Sequence, residues 1–277
     1  MGGRGMRDGR QRSRDKRRAK VEQRRSSARY AVVYDIDGPR IRLGVLWFLL
    51  LAGALIAGVL VLGALYGAVA GLAGWQTAKV WAKEGRPSEP WVAAAAAGLI
   101  GFAGSIGTAT TGMVIVAAVV AALVAALIRH RVLLTRLLSA GFTVRSGVFV
   151  GLAAASPTIV MRIDIGACVM LVLLVSMYEV GDFLVGSGSA NPVEGPLAGI
   201  VGVMVVTFAM SVIQPPPFDE QAVWLFGGMT AALCPVGQLA GSAILPRSNS
   251  DARALRRLDS LLVAGPLFAV ALWNYTG

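Results

Sequence analysis

The sequence predicts an all-α, polytopic integral membrane protein. Three observations carry that prediction. Of the 277 residues, 56 % are hydrophobic and only 15 % charged, whereas soluble domains run near 45–50 % apolar and about 25 % charged. The apolar residues lie in runs too long for ordinary core helices. The lysines and arginines fall between those runs in a pattern that fits one side of a bilayer. Together these exclude a disordered chain, a collagen-like fibre and a disulfide scaffold, and they argue against a soluble enzyme.

The chain divides into residues 1–42, a disordered basic tail, and 43–277, a transmembrane helical domain. Net charge is +11. The tail holds 14 Lys/Arg against 5 Asp/Glu, and the rest of the chain 12 against 10. With almost no apolar residues before Arg29, the tail cannot bury a core of its own. It is too long and too basic for a signal peptide. Its expected role is to fix orientation and to attract anionic lipid headgroups. Residues 1–30 hold a single aromatic, Tyr30, which gives no base-stacking platform, so nucleic-acid binding is not expected.

Apolar runs span Leu43–Val80, Trp91–Ile128, Ser146–Met161, Ile165–Gly186, Pro196–Ile213, Gln221–Leu245 and Ser260–Trp273. As one helix the second would be about 57 Å long, against about 30 Å of hydrocarbon. It is expected to cross twice, turning near Gly104–Gly112. The segments before and after it, Lys79–Glu89 and Arg129–Arg145, are both basic, as is the tail, so all three are expected on the cytoplasmic side. The first run must then cross an even number of times, as a tight hairpin. The count is about nine crossings, within seven to nine. The N-terminus is expected in the cytoplasm and the C-terminus outside, in the cell membrane.

Ionisable groups within membrane segments mark functional sites by default. Glu179 and Asp182, at i and i+3, share one helix face. Glu194, Gln238 and Asp259 lie near the cytoplasmic ends of their own helices, so parity places all five at one depth. Carboxylates gathered beside arginines are the donor set that Mg²⁺ and a polyphosphate require. Asp164 beside Arg162 reads as an external interfacial pair. Cys168 and Cys234 read as packing residues. The single histidine, His130, lies between Arg129 and Arg131, which opposes its use as a metal ligand.

Three segments resemble the phosphatidate cytidylyltransferase (CDP-diacylglycerol synthase) family, over roughly Arg129 to the end. Tyr178-Glu179-Val180-Gly181-Asp182-Phe183 and the following Gly186 resemble the family's Asp-x-Gly-Ala-Tyr-x-x-Gly stretch. Asn191-Pro192-Val193-Glu194-Gly195 resembles its Ser-Pro-Lys-Lys-Thr-Trp-Glu-Gly loop. Gly237-Gln238-Leu239, Ser242 and Arg256-Arg257-Leu258-Asp259-Ser260 resemble the opening and close of its C-terminal signature. The resemblance implies reaction of CTP with phosphatidate to give CDP-diacylglycerol and pyrophosphate. It implies Mg²⁺ held by Glu179, Asp182 and Asp259, with Glu179 and Asp259 catalytic. Glu194, Ser242 and Gln238 would support the substrates, Arg247, Arg256 and Arg257 would contact phosphates, and a homodimer stays open. Two signature aspartates are replaced, by Gln238 and Arg256. The alternatives are therefore a catalytically inactive relative that binds lipid or nucleotide or partners a true synthase, and a small ion or solute transporter.

Overall fold

The computed structural model describes residues 40–277 apart from 188 and 190. The tail, which ends at Arg42 in the sequence reading, lies almost wholly outside the described residues. These form nine α-helices and no strand: α1 (Arg40–Ala57), α2 (Val59–Lys83), α3 (Pro90–Ala103), α4 (Thr108–Arg129), α5 (Leu133–Ile163), α6 (Ile165–Gly186), α7 (Glu194–Ile213), α8 (Glu220–Ile244) and α9 (Leu261–Thr276). A short 3₁₀ turn, Leu255–Arg257, precedes α9. Six of the nine, α2 and α4 to α8, are long and apolar enough to cross a bilayer. The protein is an all-α polytopic membrane protein.

The first apolar run is a hairpin. Gly58, at φ 106°, breaks the helix between α1 and α2, a conformation that costs only glycine nothing. The Trp47 and Tyr66 rings then meet edge-on with centroids 6.3 Å apart; along one unbroken helix they would be about 28 Å apart. The second run turns at residues 104–107, between α3 and α4, where the Gly, Ser and Thr content predicts it. One boundary differs. The basic segment Arg129–Arg145 falls between two apolar runs, the next starting at Ser146, but α5 starts at Leu133 and runs 31 residues. Its Arg136 Nε donates to His130 O at 2.6 Å, and the Arg145 guanidinium lies over the Trp81 ring. Those partners let basic residues sit in a helix that continues past the hydrocarbon.

Side-chain contacts sort the loops into two ends of the bundle. Trp81 Nε1 donates to Ile244 O at 2.9 Å, Arg247 pairs with Glu84 at 3.4 Å and Arg129 with Glu89 at 3.0 Å. Residues 84–89, 130–132 and 245–260 therefore share one end. At the other, Arg162 Nη1 donates to Ser105 O at 3.1 Å, Gly166 abuts Pro216 O, and Tyr275 stacks on Phe218 with ring centroids 5.9 Å apart. The described basic residues gather at the first end, apart from Arg162, and the C-terminus lies at the second. Asp164 does not pair with Arg162; it caps α6, accepting from Ala167 N at 2.9 Å, as an aspartate at a helix N-terminus does.

Two lipid-compatible devices hold the helices together. On α2, Gly67, Gly71 and Gly74 recur on one face and meet the α3 backbone, and Gly63 meets the Ser105 side chain in the turn beyond: a Cβ at Gly74 would lie 2.7 Å from Ala93 O. On the far side of α3, Gly147 and Gly151 of α5 pack as closely against Ala93 and Ile100. At the other side of the molecule the core is built from large side chains, with Phe226, Phe268 and Phe218 in mutual ring contact. Cys168 and Cys234 are both buried and unbridged.

Candidate functional site

Just inside the basic end, α6, α8 and the chain before α9 bring polar side chains together. Close backbone approach makes this possible. Gly237 and Gly241 of α8 face Asp259, whose Cβ would lie 2.7 Å from a Cβ at Gly241. Gly181 and Gly199 bring α7 onto α6 beside Tyr178. Helices spaced for larger residues would leave the polar groups short of their partners.

The cluster has two connected arms. In the first, Tyr178 Oη donates to Gln238 Oε1 at 2.9 Å, and Gln238 Nε2 donates to Asp182 Oδ2 at 2.8 Å. All three residues are buried. In the second, Arg256 Nη1 lies 3.3 Å from both Asp259 Oδ2 and Ser242 Oγ, while Nη2 donates to Ser248 O at 2.5 Å. Asp259 Oδ1 accepts from Ser260 N at 2.8 Å. Burial, opposed by the Arg256 guanidinium, pushes the Asp259 carboxyl up to about 6. A charge there is costly unless paired.

Glu179 stands slightly apart. It is partly exposed and lines a cavity of about 20 Å³ with Arg257, Tyr66 and Trp47, roughly the space of one water molecule. Arg257 faces it without forming an ion pair within 4.0 Å. Ser260, wholly buried, neighbours Glu179, and its Oγ has no hydrogen-bond partner of good geometry.

Six of the nine residues singled out from the sequence thus converge with Glu179: Asp182, Gln238, Ser242, Arg256, Arg257 and Asp259. Two do not join them. Glu194 opens α7, is exposed, and is held within its own loop by Ser189 Oγ. Arg247 reaches back to Glu84 on α2. Tyr178, Ser248 and Ser260 join the cluster although the sequence pattern gives them no role. Tyr178 precedes Glu179 in the quoted motif, but a tyrosine in an apolar run carries no signal of its own.

Among the described residues no three His, Cys, Asp or Glu side chains are grouped closely enough to hold a metal ion. Asp182 is occupied by an amide and Asp259 by a guanidinium, where a divalent cation requires free carboxylate oxygens. As arranged, these side chains do not fit the ion that the resemblance implies. No family model matches the chain, and no curated protein matches it.

Proposed function

We propose that this membrane protein is a catalytically silent relative of the phosphatidate cytidylyltransferases that binds phosphatidate at the Arg256–Asp259 cluster. The observation that supports this most is the position of Arg256. Its guanidinium stands within hydrogen-bond distance of Asp259, Ser242 and Ser248, so a cation of the protein's own fills the place beside the acid. An arginine fork suits a phosphomonoester, and its fixed charge opposes a second cation. The buried carboxylates Glu89, Asp182 and Asp259 all lie toward the basic end, which argues against a transport path through the bundle. By the positive-inside rule the basic end faces the cytoplasm and the C-terminus faces out, in the cell membrane.

The active synthase is the second reading, favoured by Glu179, whose carboxylate lines a small cavity with Arg257. In that reading Glu179, Asp182 and Asp259 would hold Mg²⁺ while CTP and phosphatidate form CDP-diacylglycerol and pyrophosphate. One assay separates the two. Purified protein is incubated with labelled CTP, phosphatidate and Mg²⁺, with and without chelator, and its melting is followed in parallel. The silent reading expects thermal protection by phosphatidate and no pyrophosphate. Chelator-sensitive release of pyrophosphate overturns it.

A further inference from the structure

A second polar site, sharing no residue with the first, lies between the α2–α3 loop and the α4–α5 turn. The loop is shaped by the end of α2. Gly85, at φ 74°, follows the last turn, with Gly85 N bonded to Ala82 O and Arg86 N to Trp81 O. This is the Schellman arrangement, which favours glycine at that position. It turns the chain so that Arg86 and Ser88 border an open cavity of about 530 Å³, with Arg129, His130 and Thr135 opposite. Glu89 forms the floor. Its carboxylate is buried, 3.0 Å from Arg129 Nη1 and 3.6 Å from His130 Nε2. Among the described residues, His130 Nε2 makes no hydrogen bond and the exposed Arg86 guanidinium has no acidic partner.

The cavity therefore presents two arginines and the Thr135 hydroxyl against one acid, with the Ser88 hydroxyl turned to Ala78 O at 2.8 Å and the His130 ring in the wall. That is the chemistry of a phosphate site. The rim is apolar. Ile128 in the last turn of α4 is exposed, as are Val132 just before α5 and Leu133, Leu134 and Leu137 in its first turns. At 31 residues α5 is about 46 Å long, so this leucine-bearing stretch lies beyond or at the edge of about 30 Å of hydrocarbon. Apolar side chains exposed beside arginines at that level match a molecule that carries a phosphate on an acyl stem.

We infer that the cavity bounded by Arg86, Ser88, Glu89, Arg129, His130 and Thr135 holds the phosphate of an anionic phospholipid, with its acyl chains against Leu133, Leu134 and Leu137. Glu89 compensates Arg129 when no lipid is bound, and it competes with the phosphate for that guanidinium. The inference stands without the function proposed above.

The test titrates detergent-purified full-length protein with phosphatidylglycerol, phosphatidylcholine and inorganic phosphate, and reads bound lipid by native mass spectrometry. Phosphatidylglycerol is expected to bind in preference to phosphatidylcholine, and inorganic phosphate to compete poorly. Arg86→Ala should weaken phosphatidylglycerol about five-fold. Arg253→Ala, the same loss of charge at the same end but outside the cavity, should change it by less than about two-fold. Glu89→Gln should bind phosphatidylglycerol more tightly, a gain that misfolding cannot produce. Equal losses from Arg86→Ala and Arg253→Ala would overturn the inference, since they report only the general field of that end. Weaker binding in Glu89→Gln, or displacement of the lipid by inorganic phosphate at matched concentration, would overturn it as well.

Discussion

The α2–α3–α5 layer and the α6–α8–α9 layer answer the same problem in opposite ways. Lipid offers helices little hydrophobic reason to associate, so contact must come from close packing or from polar bonds. The first layer removes side chains. Its interface is glycine and alanine, and backbones approach until Gly67 faces Gly98 O and Gly74 faces Ala93 O. In the second layer several glycines admit a polar group: Gly237 and Gly241 of α8 give way to Asp259, and Gly199 of the adjoining α7 to Tyr178. The difference teaches that small residues serve as the contact in one layer and as clearance for a buried network in the other. The first layer should fail by steric exclusion and the second by loss of a partner.

The sharpest break is at Arg256. Arg256→Met leaves Asp259 buried beside hydroxyls with no counter-charge. Removing one member of a buried pair costs about 3–5 kcal/mol, and the Arg256 and Asp259 side chains are 18 % and 8 % exposed. The double variant Arg256→Met, Asp259→Leu should recover most of that loss, because the uncompensated charge leaves with the second change. Chemical unfolding in mixed micelles measures both. Additive losses would mean that the two residues do not act as a pair.

The first layer breaks differently. Gly74→Leu places a Cβ 2.7 Å from Ala93 O and 2.9 Å from Ala97 Cβ, where backbone cannot yield. Overpacking of this kind costs about 1–3 kcal/mol and sometimes more. Gly112→Leu on α4 meets nothing within 4 Å and should cost almost nothing. A comparison of folded yield and melting between these two variants tests whether the glycine face is contact or coincidence. Equal behaviour would remove the distinction drawn between the layers.

Much of this was legible in the chain. Apolar length alone places the helices, and the 38-residue run of Trp91–Ile128 forces a turn that falls at residues 104–107. Parity and charge bring Glu179, Asp182, Gln238 and Asp259 toward one end without any structure. The pairings were not legible. Whether Arg256 contacts a ligand or Asp259 depends on a few ångströms between α8 and the 3₁₀ turn, set by Gly237 and Gly241, and sequence spacing carries no such distance. The start of α5 was hidden because Arg131, Arg136 and Arg145 lower hydropathy just where the helix leaves the hydrocarbon. Arg247 was drawn to the cluster by its place in the signature region, yet a flexible side chain on an exposed loop found Glu84.

The smallest effect expected sharpens the second layer's side of the comparison. If Asp259 is a buried acid held by one arginine, stability must depend on pH in a definite direction. Its carboxyl is raised by burial from an ordinary 3.8 to about 6 in the folded chain, so the folded state holds a proton that the unfolded state releases. That contribution is complete below about pH 4 and is lost as pH rises through about 6. Between pH 5 and 7 the loss is about 1 kcal/mol, which corresponds to about 2–4 °C in Tm for a chain of this size. Asp259→Asn carries no such proton, so the difference in Tm between wild type and variant should shrink or grow by that amount across the interval, with the wild type gaining ground at pH 5. A gap constant from pH 5 to 7 would mean that Arg256 holds Asp259 ionised throughout, and that the pair behaves as a fixed ion pair over the whole interval.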